Sequence, residues 1–140
     1  MSILDEARKG MKARFGMTDK EFEKHISYPH NRKIVENMTE LQKYKMIAEV
    51  VETKYCSAGM KKGQKLVFNL MPNELLPAES NAPLCLRAIG PIAYLAQGFW
   101  DRIIDGLNPN EGVWHIAECL DQGLEKGGLG HVVFKVHVEK

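Results

Sequence analysis

The sequence predicts an α+β fold in which a small antiparallel β-sheet packs against one long helix, with a helical extension at the N-terminus. The prediction depends on two patterns of apolar residues. Apolar and polar residues alternate from Tyr44 to Val50 and again from His131 to Val138, which is typical of half-buried strands. Within Leu84–Leu107 the apolar residues recur three or four positions apart, which is typical of a helix with a broad buried face. We therefore expect about four strands and a single long helix.

The domain organisation follows a shift in composition near Tyr44. Residues 1–43 are charged and modestly apolar, whereas residues 44–140 carry the predicted strands. The sequence therefore predicts a helical N-terminal extension at 1–43 and an α+β domain at 44–140. Three roles for the extension stay open: it covers one face of the sheet, it forms a lid, or it packs as an arm on a partner subunit.

Helix start and stop signals divide the N-terminal extension. Leu4–Phe15 has apolar residues at helical spacing. Thr18 and Glu21 form a capping box, so a second helix begins there. This helix should end before Pro29, because a proline disfavours the helical conformation in the residue that precedes it. A shorter third helix is expected at residues 32–42.

The segments between the main elements carry weaker signals. A strand is expected at Lys65–Phe68, joined to the strand before it by a turn at residues 56–59, and another at Val113–Leu120. Asn69–Pro83 is rich in proline and asparagine, so we expect a loop without regular structure. Pro91 must either begin the long helix or kink it.

Composition and charge exclude several classes of protein. The 140 residues are enough for one domain with its own core, and a hydrophobic content of 44% is that of a globular chain. With 19 basic and 18 acidic residues the net charge is +1, so we expect no binding to nucleic acid or to a membrane surface. No apolar run resembles a signal peptide or a membrane span. We expect a cytoplasmic protein whose three cysteines are reduced thiols.

The three cysteines stand at the boundaries of predicted elements, where side chains from distant parts of the chain can converge. Cys56, Cys85 and Cys119 would form a Cys₃His ligand set with His115, which shares a strand face with Cys119. Such a set suits zinc or another soft divalent metal. None of the cysteines forms the short C-x₂₋₄-C pair by which many zinc sites are recognised. The alternative is that the thiols are small, partly buried hydrophobic groups.

Cys56 is also the candidate catalytic residue, as a nucleophile or acid–base group, with His115 as its first candidate partner. A turn that follows Cys56 can direct backbone N–H groups at the sulfur, and nearby lysines would stabilise negative charge there. His131 and His137 are the next candidate histidines, although all three histidines suit solvent-facing strand positions. Arg87 is the candidate substrate-binding residue, because its guanidinium can bind a carboxylate if it faces a cavity.

The cysteine motifs carry one resemblance to a known family. C-x-A-G at 56–59, L-C at 84–85 and C-x-D at 119–121 resemble the motifs of a family of small bacterial proteins known as an uncharacterised repeat protein. The resemblance leaves out the N-terminal helices. The family often has a histidine and an acidic residue where this chain has Met60 and Gln64. The resemblance therefore implies no metal site with that histidine here, and it implies no activity, substrate or partner.

Three classes of function stay open from the sequence alone. The first is a ligand- or metal-binding accessory module with its site at the cysteine-bearing strand ends. The second is a small enzyme without an organic cofactor, a lyase or isomerase, that uses Cys56 and a histidine in a pocket roofed by the proline-rich loop. The third is a structural subunit of a larger complex. A homo-oligomer is expected, because Phe99 and Trp100 are adjacent in the helix and cannot both face one core.

Overall fold

A computed structural model describes all residues from Met1 to Lys140. The chain forms two compact units, Met1–Glu40 and Leu41–Lys140. The helices are α1 (Ile3–Phe15), α2 (Asp19–Ser27), α3 (Pro29–Glu36), α4 (Met38–Leu41) and α5 (Leu86–Ile104). The strands are β1 (Lys45–Lys54), β2 (Lys65–Asn69), β3 (Glu74–Leu75), β4 (Ile116–Glu118) and β5 (His131–Glu139). None of the helices is both long and apolar enough to cross a membrane.

Capping boxes begin the first two helices of the N-terminal unit. The Ser2 hydroxyl accepts the Asp5 N–H at 3.2 Å at the start of α1. The Thr18 hydroxyl accepts the Glu21 N–H at 3.1 Å at the start of α2, which confirms the predicted capping box. Gly16 ends α1 in the left-handed conformation that glycine adopts without strain.

The third predicted helix, at residues 32–42, begins earlier than expected and is divided in two. Pro29 is the first residue of α3, a position where its missing N–H has no helical partner to lose. The proline that ends α2 therefore also begins α3. Asn37 lies between α3 and α4, and its side-chain amide donates to the Lys33 carbonyl oxygen at 2.8 Å. Such side-chain bonds to the backbone compete with helix propagation.

The second unit confirms the predicted α+β class. Its five strands form one antiparallel sheet in the order β3-β2-β1-β5-β4. The central strand is β1, in which Ile47 pairs with Val67 of β2 on one side and with His137 of β5 on the other. Every second residue of β5 is buried, as the alternation predicted: Val132, Phe134, Val136 and Val138.

The predicted loop Asn69–Pro83 contains the fifth strand. Within it β3 pairs with β2, and a 3-10 turn follows. The side-chain oxygens of Ser80 and Asn81 then accept the N–H groups of Val67 and Lys65 at 2.9 and 2.7 Å. The segment therefore covers an edge of the sheet that would otherwise present unpaired N–H groups. The proline- and asparagine-rich composition did not predict this cover of the sheet edge, because side-chain oxygens accept the N–H groups here in place of the backbone carbonyls of a regular strand.

The predicted strand Val113–Leu120 is shorter in the structure, where β4 covers Ile116–Glu118 alone. Where a longer β4 would pair with β5, the Asn110 side chain makes the hydrogen bonds. Its amide nitrogen donates to the Val138 carbonyl at 2.8 Å, and its oxygen accepts the Val138 N–H at 2.9 Å. Backbone pairing along this part of β5 is therefore satisfied by one side chain.

The long helix α5 begins before Pro91, at Leu86. Because proline has no N–H, the Arg87 carbonyl four residues earlier cannot receive its helical hydrogen bond. The Leu120 N–H donates to that carbonyl instead, at 3.0 Å. This bond ties the segment 119–121 to the first turn of α5.

One face of α5 forms the core of the second unit with the sheet. Its buried residues are Ala88, Ile92, Leu95, Phe99 and Ile103. The main strand contacts of the helix are with β4 and β5. The helix therefore lies toward one side of the sheet and not over its middle.

Gly130, the residue just before β5, lies at a position where a side chain has no room. A Cβ atom added to Gly130 would lie 2.2 Å from the Tyr55 carbonyl oxygen. We therefore expect Gly130→Ala to reduce the free energy of unfolding by about 1–3 kcal/mol, because backbone must move to admit the methyl group. Urea denaturation followed by circular dichroism measures the change.

Gly98→Ala is the matched control for this substitution. Gly98 lies within α5, and a Cβ atom there would meet nothing within 4 Å. Alanine should stabilise the helix at that position by roughly 0.5–1 kcal/mol, since glycine loses more backbone entropy on folding. Equal stability of the two variants would show that the contact between Gly130 and Tyr55 is not tight.

Candidate functional site

Two cavities in the second unit are lined by residues of functional interest. The smaller, which we call the thiol pocket, is lined by all three cysteines together with Arg87 and His131. Its volume is about 20 Å³, which is room for about one water molecule. The pocket therefore admits a single ion or a small polar group and not an organic molecule.

The cysteines reach the thiol pocket from three separate elements. Cys56 lies just beyond the end of β1, Cys85 is the residue before α5, and Cys119 follows β4. All three are free thiols and partly exposed. The structure therefore brings together the three cysteines that the sequence placed at element boundaries.

The Cys119 sulfur has two polar neighbours from β5. The Val132 N–H donates to it at 3.3 Å, and Nδ1 of His131 lies 3.9 Å away. The same Nδ1 lies 2.7 Å from the Asp121 carbonyl oxygen, which can only accept, so Nδ1 carries the proton of the neutral ring. The other ring nitrogen, Nε2, lies 3.7 Å from the Glu118 carboxylate.

Asp121 holds the loop between β4 and β5 through hydrogen bonds. His131 is the first residue of β5 after this loop. One carboxylate oxygen accepts the Gly123 and Leu129 N–H groups at 3.1 and 3.0 Å, and the other accepts the Gly130 N–H at 3.1 Å. These hydrogen bonds, that of Gly123 first, hold the pKa of Asp121 below its ordinary value. Partial burial opposes the shift, and the Arg87 guanidinium adds a smaller effect in the lowering direction.

Arg87, the predicted substrate-binding residue, lines the thiol pocket beside Cys85. Its guanidinium lies 3.6 Å from the Asp121 carboxylate. The Arg87 side chain is 65% exposed and that of Asp121 is 14% exposed. An anionic ligand in the pocket would therefore have to compete with Asp121 for this cation.

His115, the predicted partner of the cysteines, does not line the thiol pocket. Its Nδ1 lies 3.0 Å from the Val113 carbonyl oxygen, and its own carbonyl accepts the Val136 N–H at 2.8 Å. Four residues of extended chain span about 13 Å, so a shared strand face does not bring His115 to Cys119. The histidine beside Cys119 is His131, because β5 runs alongside β4.

The thiol pocket is not assembled as a metal centre. No group of three or more His, Cys, Asp and Glu side chains is arranged to hold a metal ion, so the predicted Cys₃His set is not formed. The turn after Cys56 also differs from expectation. Its Gly59 N–H donates to the Cys56 carbonyl oxygen at 3.0 Å and not to the sulfur.

The larger cavity, which we call the apolar groove, has a volume of about 710 Å³. On the helix side it is lined by Ile89, Ile92, Ala93, Ala96, Gln97, Trp100 and Asp101. On the sheet side it is lined by Met46 of β1 and by Phe68 and Asn69 of β2. The proline-rich segment contributes Leu70, Asn73 and Leu75, and Leu84 lines the groove just before α5. Apolar side chains dominate, as they do in pockets for small molecules.

The groove follows from the dimensions of the two layers. Five strands spaced about 4.8 Å apart extend over about 19 Å, whereas a helix with its side chains is about 10–12 Å wide. Because α5 lies toward β4 and β5, the sheet on the β1 and β2 side extends beyond the cover of the helix. The space left there is the apolar groove.

The adjacent aromatic residues of α5 divide between the core and the groove. Phe99 is buried in the core. Trp100 lines the groove, and its indole N–H donates to the Leu70 carbonyl at 3.1 Å. This hydrogen bond holds the beginning of the proline-rich segment against α5.

The two cavities separate residues that the enzyme hypothesis placed together. The proline-rich segment lines the apolar groove, whereas Cys56 lines the thiol pocket. No cysteine or histidine lines the groove. A pocket roofed by that segment therefore contains neither a thiol nor an imidazole.

Comparisons with known proteins found no matching family model, no matching curated protein and no matching solved structure.

The lowered pKa of Asp121 predicts a pH dependence of stability. A carboxyl whose pKa is lower in the folded chain stabilises the fold above its unfolded pKa, and this contribution is lost as the pH falls through the folded value. We therefore expect Asp121→Asn to lower the melting temperature by several degrees at pH 7. The difference from the wild type should shrink steadily below about pH 4. Differential scanning calorimetry between pH 7 and pH 2.5 measures both.

The control is Asp101→Asn, which removes a carboxylate from α5 of the same unit without touching the loop donors. Asp5 and Glu21 also have lowered pKa values, from hydrogen bonds in their capping boxes, and both variants keep them. The stability that these two carboxyls lose in acid is the same in the wild type and in both variants, so it cancels when the proteins are compared. A difference between Asp121→Asn and the wild type that does not change with pH would contradict the assignment.

Proposed function

We propose that this chain is a small-molecule-binding module whose ligand occupies the apolar groove. One observation carries the proposal: a cleft of about 710 Å³, lined mainly by apolar side chains and a few polar ones, lies between α5 and the sheet. Organic ligands in proteins bind in clefts of about 300–1,000 Å³ with this kind of lining. The thiol pocket, at about 20 Å³, has no room for such a molecule.

Trp100 supplies a direct test, because it lines the groove and the chain has one other tryptophan, Trp114, which is 73% exposed. In a Trp114→Phe background Trp100 is the sole tryptophan. An uncharged naphthylamine dye should bind with a dissociation constant on the order of 10 μM and accept energy from Trp100. Ala96→Phe fills the groove and should weaken binding about tenfold or more. Fluorescence titration measures both results.

Ala78→Phe is the matched control, since it adds the same bulk at an exposed alanine that does not line the groove. It should leave the dye affinity unchanged. Equal affinity of the Ala96→Phe protein and the wild type would place the dye elsewhere and overturn the proposal. If a second copy of the chain fills the groove instead, light scattering will show a dimer that Ala96→Phe dissociates.

A second candidate function is the binding of a thiophilic metal ion, such as zinc, in the thiol pocket. The observation that favours it is the convergence of Cys56, Cys85 and Cys119 on one cavity of ionic size. Three sulfurs are a ligand set for a soft or borderline metal ion. Because the thiols are not arranged as a ligand set, binding requires their side chains to rotate toward one another.

Zinc titration against a chromophoric chelator tests this second function on protein purified without a histidine tag. About one zinc ion per chain should bind, and the count of thiols that react with a disulfide reagent should fall as zinc is added. Cys119→Ser should abolish binding. His115→Ala should not change it, because His115 lies outside the pocket. Full thiol reactivity in the presence of zinc would contradict metal binding.

A further inference from the structure

Given the proposed function, we infer that the ligand of the apolar groove is an organic cation with an apolar chain, such as a protonated aliphatic amine. The groove is lined by four polar side chains, Asn69, Asn73, Gln97 and Asp101. Three of them are neutral amides, and Asp101 is the sole charged group. No lysine, arginine or histidine lines the cavity.

Two basic side chains that are adjacent in sequence to groove residues have partners outside the groove. Arg102, the neighbour of Asp101, donates through Nε to the Asn108 carbonyl oxygen at 2.8 Å. Lys45, which precedes Met46 in β1, pairs with Glu79 at 2.7 Å. Neither of these two cations lines the groove.

A second carboxylate adds to the negative charge at the rim. The Asn69 side chain lines the groove, and its amide nitrogen lies 3.4 Å from the Glu74 carboxylate of β3. Glu74 is exposed and does not itself line the groove. Glu74 therefore places a carboxylate beside the groove on the strand side, as Asp101 does on the helix side.

This distribution of charge discriminates between classes of ligand. A carboxylate or phosphate placed in the groove would meet Asp101 without a compensating cation, and it would lose hydration as its chain entered the apolar part. An alkylammonium ion gains from Asp101, and its hydrocarbon chain buries against Ile92 and Trp100. Gln97 lies one helical turn before Asp101 and also lines the groove, so it adds an amide acceptor on the same side of the helix.

Three ligands of equal chain length test the inference: octylamine, octanol and octanoate. Each is titrated into the Trp114→Phe protein at pH 7 and followed by Trp100 fluorescence. Octylamine should bind about tenfold more tightly than octanoate, with octanol between them, because attraction and repulsion by one partly solvated carboxylate each change affinity by a few-fold. In Asp101→Asn the three affinities should fall within about twofold of one another. Salt at 0.5 M should reduce the wild-type preference.

Asp105→Asn is the control, since it removes a carboxylate from the end of the same helix at a position that does not line the groove. It should keep the preference for octylamine. Octanoate binding as tightly as octylamine would overturn the inference while leaving the groove as the ligand site. Failure of all three ligands and of the uncharged dye to bind would instead overturn the proposed function.

Discussion

The hydrogen bond between the Arg87 carbonyl and the Leu120 N–H brings two parts of the thiol pocket together, the start of α5 and the segment after β4. This bond forms because Pro91 has no N–H to donate to the Arg87 carbonyl within the helix. The carbonyl accepts the N–H of a distant segment instead. The hydrogen bond brings residues 119–121 to the first turn of α5. Cys119 thereby comes to Cys85, and Asp121 comes to the Arg87 guanidinium. A proline inside a helix therefore contributes directly to the assembly of the thiol pocket.

The apolar groove has a different cause, which is the mismatch between one helix and a five-stranded sheet. A single helix cannot cover a surface about 19 Å wide. A helix centred on the sheet would leave a narrow uncovered surface at each edge. Because α5 contacts β4 and β5, the uncovered surface is one wide strip at β1 and β2. The proline-rich segment then closes the far side of this strip and is held to α5 by the Trp100 indole. The ligand-sized cavity therefore depends on the asymmetry of the helix position.

The sequence predicts the parts of this structure that depend on local periodicity. The alternation in His131–Val138, the helical spacing after Leu84 and the capping box at Thr18 each report the environment of their own segment, and each is found in the structure. The positions of the cysteines at element boundaries also predicted that they converge, since strand and helix ends meet at the edges of a layer. The choice of His115 followed from positions along one strand, whereas His131 reaches Cys119 through pairing between two strands. Such register is not visible in the periodicity of either strand.

The two cavities meet at one peptide bond. Leu84 lines the apolar groove and Cys85 lines the thiol pocket, so adjacent residues at the start of α5 face different sites. Their Cα atoms are about 3.8 Å apart, so a ligand that shifts the backbone of Leu84 also shifts that of Cys85. Coupling of this kind is reciprocal in free energy: if an amine in the groove changes the affinity of the thiols for zinc, zinc changes the affinity for the amine by the same factor. Equal affinities with and without the other ligand would mean that Leu84 and Cys85 hold one position in all states. The first turn of α5, which the Leu120 N–H binds through the Arg87 carbonyl, is the part of the structure that would hold them there.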